Sequence, residues 1–242
     1  MDIPERYRRA LDTVLTELAS VTEPVGIVLT GSVIHGTAAE TSDLDVAILH
    51  DLPWRQRVQR VVDGVPVECF INSDGWWQHT LDSEAAAGRS PAAHFLARGL
   101  IWRDTDGRMR DLQRTAQAYV DAGPQVSSDT LLAAKYSAVA TLEDGGDIVT
   151  IDEDRSRWLL LDAIDKALRY HYLINQIWIP REKDLFADVD RRWPEIGASV
   201  RHAYRTNSVV ALHIIAKSIV HLTTGEVRFF NWSSTPQEMD PS

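Results

Sequence analysis

Cysteine is nearly absent: Cys69 stands alone among 242 residues. A single thiol makes no intrachain disulfide and no thiolate metal cluster. Basic charge is also short. Lys and Arg number 25 against 35 Asp and Glu, giving a net charge of -10 and a pI near 5.2. Binding a long nucleic acid through its phosphates needs a basic face, so no such partner is expected as the main business. An acidic surface suits a cationic small molecule instead. Long apolar runs are missing too. The opening MDIPERYRRALDTVL scatters charge and has no apolar h-region, so it does not read as a signal peptide. SVVALHIIAKSIVHL is interrupted by His213 and Lys217 and is too short and polar to span a bilayer. The expectation is a cytoplasmic protein without a membrane partner. No GxxxxGK[ST], HExxH or GxSxG occurs, which excludes the P-loop, the zincin helix and the nucleophile elbow. What remains is ordinary globular composition, 44% hydrophobic and 25% charged, with length enough for one large core or two small ones.

Tyr7, Leu11, Val14, Leu15 and Leu18 recur at helical spacing, predicting a helix over residues 3–20. Gly26-Ile27-Val28-Leu29-Thr30 reads as a buried strand that stops at Gly31-Ser32. LDVAIL (44–49) and VPVECFI (65–71) read as further strands. Pro66 points to a sheet edge or a strand start for the latter. The polar stretch 54–62 reads as helical. Helices are predicted over 83–99 and 107–121, with GLIWRD (99–104) between them as a fourth strand. Ala122-Gly123-Pro124 is the strongest break in the chain. Beyond it, 128–143, 154–178, 184–204 and 208–224 carry helical periodicity, with Ser127 or Ser128 as a cap. The prediction is α+β: a mixed sheet with flanking helices over residues 1–122, then an all-helical bundle over 125–230.

The informative stretch runs from Thr30-Gly31-Ser32 to Asp43-Leu44-Asp45. A strand ending in Gly-Ser lets backbone N–H groups approach a bulky anion, and the hydroxyl adds a donor. Asp43 and Asp45, two residues apart on a strand, share one face, while Leu44, Val46 and Ile48 face the other. Paired carboxylates are costly to bury without a counter-charge, and hard oxygen ligands suit Mg²⁺. Glu68 adds a third carboxylate among Val67, Cys69 and Phe70. If its strand lies beside the Asp strand, it joins the pair as a metal ligand or as the base for an attacking hydroxyl. A phosphate cradle beside a divalent-cation site is the equipment for phosphoryl or nucleotidyl transfer.

GSxxHGTAxxxSDLD, spanning Gly31 to Asp45, with a later strand carboxylate, resembles the DNA polymerase β-like nucleotidyltransferase superfamily in its bacterial members. The resemblance covers residues 25–72. It implies that Gly31 and Ser32 hold the β- and γ-phosphates of a nucleoside triphosphate. Asp43 and Asp45 then bind Mg²⁺, as two ions, and Glu68 activates the acceptor hydroxyl while touching a metal. Thr30 departs from the pattern, which favours an apolar residue before the glycine. The helical half, with its Asn175–Lys183 stretch, resembles the C-terminal bundle of antibiotic nucleotidyltransferases such as the streptomycin/spectinomycin adenylyltransferases. That implies ATP as donor, Lys183 on the triphosphate, and a small-molecule hydroxyl acceptor of aminoglycoside or lincosamide type.

Other residues admit plainer readings. His35 is a ligand contact or a local turn residue. Arg181 competes with Lys183 for the triphosphate. Tyr170, His171, Tyr172 and Trp178 line an acceptor pocket or, as their helical spacing favours, belong to the core. The acids of Glu143–Asp147 and Asp152–Asp154 attract a polycation or, as the plainer reading has it, lie in a connecting loop and at a helix N-terminus favoured by the dipole. Two other functions stay open: nucleotidylation of a protein or tRNA in a toxin–antitoxin system, and a non-catalytic nucleotide-binding regulator. The helical half speaks against the first, and the intact acid set against the second.

Overall fold

The computed structural model describes residues 3–34, 36, 38, 39 and 41–236. His35 and Thr37 of the Gly31–Asp45 motif lie outside the described residues. The chain divides into two compact units, Met1–Gly123 and Pro124–Ser242. The fold class is α+β, a mixed sheet with helices followed by a helical unit.

In the first unit α1 (Glu5–Leu18) buries Tyr7, Ala10, Leu11, Val14 and Leu18, the stripe its spacing predicts. Five strands follow: β1 (Gly26–Thr30), β2 (Leu44–Leu49), β3 (Arg55–Val62), β4 (Val65–Asn72) and β5 (Leu100–Asp104). Their order across the sheet is β3-β4-β2-β1-β5. β2 and β4 are parallel and all other neighbours antiparallel. One sheet face packs on α1 through Ile27, Leu29, Val46, Ile48, Val67 and Ile71. The other packs Val28, Ala47 and Leu49 against α2 (Asp74–Ala86), α3 (Pro91–Arg98) and α4 (Arg108–Ala122). Burial on both faces explains why β1, and β2 after Asp45, read as apolar runs.

Several sequence-based boundaries need correction. Residues 54–62 form a strand, β3, not a helix. In RQRVQRVV only Val58 is buried, because β3 is an edge strand with little beyond it to hide against. Its hairpin to β4 turns on Asp63-Gly64, at φ 50° and 79°, the dipeptide favoured where both central residues are left-handed. β4 is an interior strand, so Pro66 marks a strand start and not a sheet edge. The region read as a helix over 83–99 is two helices, separated by a turn with Gly88 at φ 76° and restarted by Pro91. GLIWRD is consequently the fifth strand.

The second unit holds α5 (Ser128–Asp147), α6 (Glu153–Ile174), a 3-10 turn (Glu182–Asp184), α7 (Leu185–Arg192), α8 (Pro194–Arg205) and α9 (Val209–Thr224). Ser127 caps α5, Asp152 caps α6 and Ser208 caps α9, each accepting a backbone N–H at 3.0–3.2 Å. α5 runs four residues past the predicted end, through Gly145-Gly146. The acids Glu143, Asp144 and Asp147 are therefore helical and not in a connecting loop. The glycines permit close packing: a β-carbon at Gly145 would meet Leu159 and Leu160 at 3.1 Å, and one at Gly146 would meet His213 at 2.7 Å. Pro194 splits the predicted 184–204 helix, since the residue before proline avoids the helical region. α6 stops at Ile174, with Gln176 left-handed at φ 57°. Leu160, Ile164, Leu168, Tyr172, Leu212 and Ile219 lie in the core of this unit. No helix among the described residues is long and apolar enough to cross a membrane.

Candidate active site

β1 and β2 run antiparallel with Thr30 opposite Asp45. The chain leaving β1 therefore turns directly beside Asp45. Gly31 makes that turn at φ 85°, and its carbonyl accepts a hydrogen bond from the Ile34 N–H at 3.2 Å. A β-carbon at Gly31 would stand 2.7 Å from Asp45 Oδ2. Ser32 follows in the same turn.

Asp43 immediately precedes β2 and Asp45 is its second residue. On the far side of β2, the parallel register sets Glu68 of β4 opposite Asp45. Opposed residues in adjacent strands share a face, so the third carboxylate falls beside the first two. Asp43, Asp45 and Glu68 each offer an oxygen within 4.8 Å of the others. Asp43 is exposed and Asp45 half-buried, while the Glu68 side chain is 13% exposed.

The grouping has an electrostatic cost. Two unit charges about 5 Å apart repel by about 3 kcal/mol at an effective dielectric near 20. Burial, then Asp43 and Glu68, push the Asp45 carboxyl up from 3.8 to about 6, against an opposing pull from Arg57. A divalent cation relieves this. Three carboxylate oxygens from rigid positions at a strand end and mid-strand fit a hard cation such as Mg²⁺.

Arg57 and Gln59 were not predicted from sequence as site residues. They lie on β3, with Gln59 opposite Glu68 and Arg57 opposite Phe70. The Arg57 guanidinium pairs with Glu68 Oε1 and lies over the Phe70 ring, 5.1 Å from its centre. Gln59 Nε2 donates to the same oxygen at 2.9 Å. Reading 54–62 as a helix hid them. The Asp63-Gly64 dipeptide, a hairpin-turn pair directly before the VPVECFI strand, was the available signal.

The remaining predicted residues lie in the second unit. Lys183 is exposed in the 3-10 turn, and Arg181 beside it is paired with Asp184 at 2.6 Å. Tyr170 and Tyr172 are buried. Tyr172 donates to Asp188 Oδ2 at 2.8 Å, and the rings of His171 and Tyr172 pack on Trp193.

Residues 11–67 match the family model of the nucleotidyltransferase domain. That span contains Gly31, Ser32, Asp43 and Asp45, and ends one residue before Glu68. No curated protein matches the chain. Among solved structures, a nucleotidyltransferase-like protein from Exiguobacterium sibiricum is similar, with a TM-score of 0.56 and 11% sequence identity, over 90% of this chain and 76% of that one. At that identity the likeness is one of fold. The family match gives the chemistry its class: it supports nucleotidyl transfer.

Proposed function

We propose that the protein is a Mg²⁺-dependent nucleotidyltransferase that moves a nucleoside monophosphate, AMP from ATP, onto a hydroxyl of a small molecule. One observation carries this reading. Three carboxylates from two adjacent strands meet beside a left-handed Gly31 turn, within and just beyond the stretch that matches the nucleotidyltransferase domain.

Asp43 and Asp45 would hold the cation, with Glu68 contributing an oxygen. Bound Mg²⁺ supplies neutralisation of the phosphates and acidifies a bound hydroxyl. Gly31 and Ser32 offer the β- and γ-phosphates a turn without a β-carbon in the way, with a hydroxyl beside it. The acceptor oxygen forms a bond to the α-phosphorus, the bond to the leaving oxygen breaks, and pyrophosphate departs. Glu68 serves either as the group that receives the hydroxyl proton or as a ligand that orients the hydroxyl. The chain's acidity, -10 overall, supports a cationic acceptor of aminoglycoside type.

The test is transfer of label from ATP radiolabelled at the α-phosphorus, with Mg²⁺, into an extract holding metabolites and macromolecules, followed by a size-cut filter. A new labelled compound in the filtrate, absent with Asp43→Asn, is the expected result. Label held on protein or RNA would move the acceptor to a macromolecule. No label in either fraction would overturn the reading.

A further inference from the structure

Glu68 stands between two strands of opposite character. β2, on one side, brings Asp45 opposite it. β3, on the other, brings two donors. The faces of β3 are fixed by what its other residues touch. Val58 is buried in the core with α1, and Arg60 reaches Glu17 of α1 at 3.3 Å. Alternation then leaves Arg57 and Gln59 on the carboxylate face. Both bond to the same atom, Glu68 Oε1. A carboxylate oxygen has two lone pairs in its plane, and two donors use both. Phe70, under the Arg57 guanidinium, holds the arginine in place from below.

We propose that Arg57 and Gln59 are positioning residues that occupy one oxygen of Glu68, so that Glu68 meets the cation or the acceptor hydroxyl through its other oxygen alone. This rests on the nucleotidyl-transfer reading of the carboxylate cluster and adds to it which oxygen works and what aims it. A glutamate free to rotate would divide its time between orientations. One clamped at Oε1 leaves Oε2 as the oxygen available to a ligand without reorganising. The partners that orient metal-ligating side chains commonly matter about 10–100-fold in metal affinity or activity.

Mn²⁺ titrated into the full chain, with free Mn²⁺ followed by electron paramagnetic resonance, tests this. Gln59→Leu removes a neutral donor and is expected to weaken Mn²⁺ binding about 10-fold. Arg57→Met keeps an apolar stem over Phe70 and removes the guanidinium. Loss of a positive charge alone would tighten Mn²⁺ binding, so weakening of about 10–100-fold is the signature of positioning. Arg57→Lys restores part of the loss. Label transfer from ATP falls in the same order, while the ATP concentration giving half the maximal rate stays unchanged. The Arg57 side chain is 63% exposed, so thermal unfolding serves as a control that the fold survives. Mn²⁺ binding as tight as wild type, or tighter, in both Arg57→Met and Gln59→Leu would overturn the proposal. Asp45→Asn is measured alongside. If it keeps wild-type Mn²⁺ affinity, the reading of the cluster itself fails. If it loses Mn²⁺ while the β3 variants do not, positioning alone fails.

Discussion

Gly31 and Asp45 touch through the absence of a side chain. A β-carbon on residue 31 would lie 2.7 Å from Asp45 Oδ2, and the backbone there has φ 85°. Gly31→Ala therefore faces two penalties: a left-handed conformation that L-residues resist, and a collision with a carboxylate of the cluster. We expect metal-free protein to lose about 1–2 kcal/mol in urea denaturation. Mn²⁺ affinity should fall with it, because Asp45 must move. Wild-type stability together with wild-type Mn²⁺ binding would show that the turn tolerates a side chain.

Asp45 also makes stability depend on pH, in a direction set by its displaced titration. Its carboxyl is raised from 3.8 to about 6 in the native state. Between those values the native protein binds more protons than the unfolded chain, so stability falls as pH rises. The stabilisation is complete below about pH 4 and is lost as pH passes through 6. In EDTA, wild type should lose about 1 kcal/mol more than Asp45→Asn between about pH 5 and pH 7, allowing for solvent screening of a half-buried group. Parallel slopes in the two proteins would count against a strained carboxylate.

The carboxylate cluster was legible because it combines a local motif with a strand period. Gly31-Ser32 and Asp43-x-Asp45 fix two positions within fifteen residues, and Glu68 stood out among apolar neighbours. The register that sets Glu68 opposite Asp45 is a tertiary fact, beyond the reach of local patterning. β3 was misread because an edge strand carrying arginines and glutamines shows one buried residue, Val58, and little apolar alternation. Helix ends failed for separate reasons: close packing lets α5 continue through Gly145-Gly146, and Pro194 interrupts what periodicity joined.

Cys69 offers a check on the sheet that needs no substrate. It is fully buried on the α1 side of β4, and burial, with Glu68 beside it in sequence, pushes its thiol up to about 12. The thiolate is the reactive form, so neither access nor ionisation favours modification. Iodoacetamide should leave the native protein unlabelled at neutral pH and label it once in urea. Rapid labelling without denaturant would contradict the placement of β4 between β3 and β2.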